Sequence, residues 1–392
     1  MSVKILTVGA GGFASNYTRL FLDNLNCGKY EYKGVVEICD DFPYKDEFIE
    51  NNIPIYKTVD EFFKENSADL TFISTPPHFH AEQTICALKH GSNVLCEKPI
   101  ATAFSDAKAI LDVSLKMGKF VGIGYQYSFS KPVLDLKNDI IKGVFGKPVS
   151  FKTMLCWPRN HQYYGRGNGW AGKIKDTNGM IILDSVISNG GAHYLHNMLF
   201  LLGEDIQSAC LPEKYCAELL RANNIENFDT AVLRMETKDN VKLMMCATHA
   251  SATNIDPIFD FQFENASVRY SMGESITAKF HDGTTKDYGK PLHGDESKMW
   301  CAIDAVENKA VLPCIAKTAM PHNIIVNSLY ENCEVKAFPE NMISFDCENE
   351  LTYVDGLSEA LTKCFNENKM LSEIGWRWVN TNSFTINNKY IE

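Results

Sequence analysis

The sequence has no apolar run near the roughly 18 residues that a membrane-crossing helix needs. It has no excess of positive charge either. Its 49 acidic residues outnumber 38 basic ones, for a net charge of −11. A nucleic-acid surface draws most of its affinity from basic residues, so neither nucleic acid nor membrane is expected as a partner. Thirteen cysteines are present, but no two form a CxxC pair and none falls at zinc-ligand spacing. An odd, scattered set of this kind reads as reduced thiols in a cytoplasmic protein with no resident metal. The N-terminal MSVKILTVGAGG has too short an apolar run for a secretion signal and enters a glycine loop instead. Repeats, low-complexity segments and long flexible linkers are also missing.

At 392 residues the chain is long for one hydrophobic core, and two domains are expected, over 1–126 and 127–392. The first part alternates short apolar runs with helical patterns. Strands are predicted at Lys4 to Val8, Tyr32 to Ile38, Leu70 to Ser74, Asn93 to Cys96 and Phe120 to Ile123. Helices are predicted at Ala14 to Leu25, Thr58 to Glu65, His80 to His90 and Phe104 to Met117. Such alternation means a doubly wound parallel sheet, a Rossmann-type α/β domain. After Gln126 come a helix at Pro132 to Lys142 and longer β-like stretches at Val149 to Leu155, Ala231 to Met235, Val241 to Thr248 and Ile258 to Val268. Further helical patterns lie at His193 to Leu202 and Glu296 to Glu307. This second part reads as α+β, built on a large, mostly antiparallel sheet. Phe259, Phe261 and Phe263 alternate onto one strand face. That face is expected to serve self-association, as a homodimer or homotetramer.

Residues 5–14, ILTVGAGGFA, place Gly9-x-Gly11-x-x-Ala14 between a strand and a helix. Gly9 permits the tight turn, Gly11 lets the backbone approach a pyrophosphate, and Ala14 lets helix and strand pack closely. With Gly12 and Phe13 the loop would present a helix N-terminus to the anion. A plain βα turn is the bland alternative. The second strand should end in an acid that accepts from the adenine ribose. Glu37, 23 residues after Ala14, is the first choice and Asp40 the second. A carboxylate there favours NAD over NADP, whose 2′-phosphate it would repel.

The ends of parallel strands border the ligand crevice. STPPHFH follows the third of the five predicted strands and EKP the fourth, so Thr75, Pro76, Pro77, His80, Glu97 and Lys98 are candidate cofactor contacts. The glycine loop, TPPxxH and EKP, in this order and spacing, resemble the Gfo/Idh/MocA oxidoreductases, and KGVFGKPVSF resembles that family's passage into its second domain. The resemblance implies a Rossmann domain followed by an open-faced sheet domain, with NAD(P) as cofactor. It implies that Lys98 touches both nicotinamide ribose and the reacting oxygen. A compact lysine cation suits a developing alkoxide. It also implies a catalytic histidine at a helix start, which in NGGAHYLHN is His193. A neutral imidazole is a suitable general base at cell pH.

Two departures bear on the proton relay. Asn189 and His196 stand where the family commonly carries aspartates. Asn189 can orient a hydroxyl but cannot titrate, Asp184 is an alternative acid, and His196 is a candidate substrate contact. Tyr125-Gln126 stands at a common Tyr-Arg position, and Gln126 is taken as a cofactor contact. Residues 157–176, WPRNHQYYGRGNGWAGKIKD, interleave aromatics with cations. Rings stack on sugar C–H faces and cations hold hydroxyl or acid groups, which suits a sugar or polyol pocket. Trp157, Arg159, Tyr163 and Lys173 are its candidate substrate residues, beside Tyr164. The resemblance sets Arg166 and Trp170 near the nicotinamide. His249 is a possible rim residue. The leading expectation is an NAD-dependent dehydrogenase of a sugar, sugar derivative or cyclitol. A redox-neutral NAD-dependent glycoside hydrolase and a non-catalytic NAD sensor are the alternatives.

Overall fold

A computed structural model describes residues 2–166, 169–291, 295–379, 381–386 and 390. The chain forms two compact units, one from 1–130 and 292–320, the other from 131–291 and 321–392. The expected division at 126 left everything after it in one unit. Residues 292–320 instead return to the first, because 310–315 adds to an existing sheet edge: the Ile123 N–H donates to the Cys314 carbonyl at 2.9 Å.

The first unit runs β1 (Val3–Val8), α1 (Ala14–Asp23), β2 (Tyr30–Val36), α2 (Lys45–Glu50), β3 (Ile55–Tyr56), α3 (Val59–Glu65) and β4 (Leu70–Ile73). It continues with α4 (His80–Lys89), β5 (Asn93–Cys96), α5 (Phe104–Met117) and β6 (Val121–Ile123). The six strands are parallel in the order β3-β2-β1-β4-β5-β6. β1 and β4 read ILTV and LTFI because strands covered on both faces are apolar throughout. α3 starts on a reciprocal capping box, Thr58 with Glu61, and α5 stops at Gly118 with φ +60°. The chain winds outward in opposite directions from β1 and β4. Their carboxyl ends are therefore the switch point where such sheets bind ligands. The later helix Asp295–Val306 packs against this unit, with Trp300 6.3 Å from Tyr30 between ring centres.

The second unit holds α6 (Lys131–Ile141), β7 (Pro148–Cys156), α7 (His161–Gly165), α8 (Ala192–Leu201), β8 (Lys214–Arg221), β9 (Thr230–Glu236) and β10 (Lys242–Thr248). Next come β11 (Ile255–Phe263), β12 (Ala266–Ser271), β13 (Ile276–Phe280), β14 (Thr285–Gly289) and β15 (Val335–Ala337). Its large sheet has the order β14-β13-β12-β11-β7-β10-β9-β8-β15. Most pairs are antiparallel, but β10–β7 and β15–β8 are parallel. The single strand expected over Ile258 to Val268 is a hairpin. Glu264 and Asn265 are both exposed between buried Phe263 and Ala266, which breaks the period of two.

Phe259, Phe261 and Phe263 do share a face, yet they are covered within the chain. Phe261 stacks on Phe151 at 4.2 Å, Phe259 on Tyr270 at 4.5 Å, and Phe263 meets Phe145 at 5.0 Å. These rings are core and give no sign of self-association. The helix Leu357–Glu367 likewise covers Met154, Met244 and Cys246 through Leu357, Leu361 and Phe365.

Candidate functional site

In the first unit the glycine loop sits at the switch point. Gly9 has φ +91°, and a Cβ there would lie 2.7 Å from the Ser74 carbonyl oxygen, so β1 and β4 part here only around glycine. Nothing lies within 4 Å of a Cβ built on Gly11 or Gly12. Among the described residues the Gly11, Gly12 and Phe13 N–H groups find no acceptor. This open cradle of donors at the start of α1 fits a pyrophosphate. Ala14 is buried, and Phe13 is half exposed.

Glu37 ends β2 as expected. Its carboxylate accepts the Ala10 N–H at 2.9 Å and the Cys39 N–H at 3.0 Å, which ties strand end to glycine loop. An ionised carboxylate with lone pairs to spare fits the ribose hydroxyls. Asp40, the alternative, is exposed and paired with Lys57 at 2.7 Å.

Lys98 follows β5 and precedes the cis Lys98–Pro99 bond, and its side chain is partly exposed. Its expected neighbours turn out to be inward-facing braces rather than cofactor contacts. His80 is buried, with Nδ1 2.7 Å from the Pro99 carbonyl oxygen and Nε2 2.9 Å from that of Thr75. The ring joins the loops after β4 and β5. Burial pushes its imidazole below the ordinary range, against the two carbonyl contacts. Thr75 donates to Gln83 at 2.6 Å. Pro76 is exposed and Pro77 and Gln126 partly so, which leaves these three accessible.

Glu97 is also buried. Its Oε1 accepts from Lys298 at 2.6 Å and Tyr17 at 2.7 Å, and its Oε2 from the Lys98 N–H at 3.2 Å. Burial pushes this carboxyl up, but the Lys298 charge and the hydrogen bonds outweigh it and hold it below its usual range. Lys298 is wholly buried and lies 5.5 Å from the Phe13 ring centre. This pair ties β5 to α1 directly beneath the glycine loop. Neither Lys298 nor Tyr17 was signalled by sequence pattern, because the partners lie in segments far apart in the chain.

In the second unit His193 is the second residue of α8 and the one partly exposed position of that helix. Asn189 is half-buried, and its carbonyl accepts the Ala192 N–H at 3.3 Å as α8 begins. His196 is core, not a substrate contact: it is fully buried and stacks on Phe200 at 5.9 Å. Burial pushes its imidazole well down, with His322 and Lys137 adding to the effect. Asp184 braces the loop by accepting the Gly172 N–H at 2.6 Å.

The aromatic–cation loop does come together. The Arg166 guanidinium lies 3.5 Å over the centre of the Tyr163 ring and 5.4 Å from that of Trp170. Arg159 lies 4.9 Å from Tyr163 and 5.6 Å from Trp157. Trp157 donates to Asp256 at 3.0 Å and meets Tyr194 edge-on at 5.7 Å. His249 joins the cluster 5.6 Å from Tyr163. Lys173 lines an adjoining cavity of about 430 Å³ with Tyr164, Ala171 and Arg221. Gly167 and Asn168, inside the quoted loop, lie outside the described residues.

The only metal-type grouping among the described residues is a partly exposed trio, Asp60, Cys86 and His90, with ligand atoms within 4.8 Å of one another. It lies apart from every residue considered above. No helix of the described residues is long and apolar enough to cross a membrane.

A parallel sheet with an open donor cradle at its switch point and an acid clasping that cradle defines a dinucleotide-binding Rossmann domain. Residues 3–125 match the model of the oxidoreductase family with an NAD-binding Rossmann fold, and through this unit the chain belongs to the Gfo/Idh/MocA oxidoreductases. The chain is 25% identical to the 1,5-anhydro-D-fructose reductase of Ensifer adhaerens over 150 residues, 38% of this chain and 42% of the reductase. It is 25% identical to the inositol 2-dehydrogenase of Salmonella typhimurium over 154 residues, 38% of this chain and 44% of that enzyme. The chain thus spans less than half the length of these relatives. The WlbA dehydrogenase of Bordetella pertussis, solved with NADH and UDP-GlcNAcA, superposes with a TM-score of 0.68 at 16% identity. That match covers 84% of this chain and 96% of WlbA, and at such identity it is a likeness of fold.

Proposed function

We propose that the protein is an NAD-dependent oxidoreductase that moves a hydride between nicotinamide and a hydroxyl or carbonyl carbon of a sugar, sugar derivative or cyclitol. The observation that carries this reading is the glycine cradle at the switch point, clasped by Glu37, with Lys98 at the end of the neighbouring strand β5. Bound NAD supplies the hydride acceptor. Gly11, Gly12 and Phe13 N–H groups hold the pyrophosphate, and Glu37 accepts from the adenine ribose. The Lys98 ammonium stabilises negative charge developing on the reacting oxygen. His193 takes the hydroxyl proton at its imidazole nitrogen, and Asn189 orients the hydroxyl without titrating. The first unit holds the cofactor and the second contributes substrate contacts from Trp157, Arg159, Tyr163 and Lys173. The names of the relatives, which concern anhydrofructose and inositol, support a polyol-like substrate.

The test is NADH formation at 340 nm with a panel of sugars, sugar acids, cyclitols and aryl glycosides. Lys98→Ala and His193→Ala run beside the native protein, with NADH binding followed by fluorescence. We expect turnover by the native protein and a loss of about 10²-fold or more in each variant, with NADH still bound. Aryl release without net NADH would replace this reading with the redox-neutral glycosidase. NAD binding with no turnover on any member would favour a sensor.

A further inference from the structure

We infer that the aromatic–cation cluster of the second unit is a receptor for an oxyanion, and that the substrate is a carboxylate-bearing sugar rather than a neutral polyol. The inference rests on the oxidoreductase reading for the reaction, but its own observations concern binding alone.

Two guanidinium groups, Arg159 and Arg166, both lie within 4.9 Å of the centre of one ring, Tyr163. Among the described residues neither forms an ion pair with a carboxylate. In a chain of net charge −11, two neighbouring cations left without an acid are unusual. The carboxylates that act on Tyr163 and Tyr164 are Asp184 and Asp229. Both serve the backbone instead. Asp184 accepts the Gly172 N–H, while Asp229 accepts from the Ala222 N–H, both nitrogens of Asn223 and the Thr230 hydroxyl.

A second, independent observation concerns unmet hydrogen bonds. Arg159 Nε, the Tyr164 hydroxyl and His249 Nε2 are buried with no partner among the described residues. A buried polar group left unmade is costly, so three beside one ring point to a group that is supplied from outside. Each can donate, and an oxyanion accepts from all three. Gly190 keeps room for it: a Cβ there would sit 3.0 Å from His249 Nε2. His249 does not compete as a cation, since burial and then the charges of Arg159 and Arg166 push its imidazole down to about 3.

The experiment is calorimetric titration of the full chain, saturated with NADH, with a hexuronate, a hexonate, a hexose 6-phosphate, and the matching uncharged hexose and hexitol. Arg159→Gln, Arg166→Gln and Gly190→Ala are measured beside the native protein. Arg166 is exposed, so its variant folds even if that of Arg159 does not. We expect one of the two acids to bind about 30-fold or more tighter than its uncharged counterpart. Each arginine variant should remove most of that difference while leaving neutral-ligand affinity unchanged, and Gly190→Ala should weaken the acid by obstruction. Equal affinity for acid and neutral forms, an equal loss of both in the arginine variants, or binding of the phosphate ester alone would overturn the assignment. Oxidation of neutral sugars only would overturn it while sparing the redox reading. Arginine-dependent acid binding with no NADH formed from any sugar would uphold the receptor and overturn the redox reading.

Discussion

Replacing Lys298 by Met should destabilise the first unit in a pH-dependent way. Lys298 and Glu97 are both buried and 2.6 Å apart. Removing one member of such a pair strands the other charge and costs about 3–5 kcal/mol. In a unit of this size each kcal/mol moves the midpoint by about 2–4 °C, so Tm should fall by roughly 6–20 °C near neutral pH. In the native protein the folded carboxyl of Glu97 lies below its ordinary value of 4.5. Its contribution is therefore complete above the unfolded value and fades as pH falls through the lower folded one. In Lys298→Met burial acts unopposed, and the folded carboxyl keeps its proton above 4.5. The folded variant then binds more protons than the unfolded chain, and it loses stability as pH rises. The deficit should be small at pH 4 and largest at pH 8, and the double variant Glu97→Gln/Lys298→Met should recover much of it. Calorimetry at both pH values measures this. A loss below about 1 kcal/mol at pH 8, or one that does not change with pH, would refute the reasoning.

Glu37→Ala removes the carboxylate that accepts from Ala10 and Cys39 and should weaken NAD by about 10–100-fold, the range of a charged hydrogen bond, while NADP changes less. Fluorescence titration checks it, and equal weakening of the two would move the ribose contact away from Glu37. Gly9→Ala places a methyl group 2.7 Å from the Ser74 carbonyl at φ +91°, so it should lower stability by about 1–3 kcal/mol and abolish NAD binding. An unchanged Tm with normal binding would contradict this close approach. His249 is held down to about 3 against an ordinary 6.5, so the unfolded chain binds a proton that the native protein refuses. Stability should fall as pH drops through that window with a slope near 1.4 kcal/mol per unit, and His249→Gln should flatten the curve. Identical acid limbs in denaturation curves of the two proteins would contradict the burial of a neutral ring.

The sequence by itself determined what depends on near neighbours along the chain. Apolar runs punctuated by helical spacing gave the parallel sheet, and α5 and β5 have the bounds that their periodicity predicts. The glycine loop and Glu37 were legible because the turn, the cradle and the acid follow one another at fixed spacing. Tertiary structure decided what depends on residues brought together from afar. Glu97 and His80 looked like cofactor contacts because they sit beside the crevice in sequence, yet Lys298 and the Pro99 carbonyl draw them inward. The Phe259–Phe263 alternation marked a shared face correctly but could not say what covers it. Phe145 and Phe151, more than a hundred residues earlier, do so. His196 repeats the exposure pattern of His193 in no respect, since one helix turn carries it from a partly open position into the core. Local pattern encodes which face a residue takes. Partner, burial and charge state follow from packing, which no local spacing records.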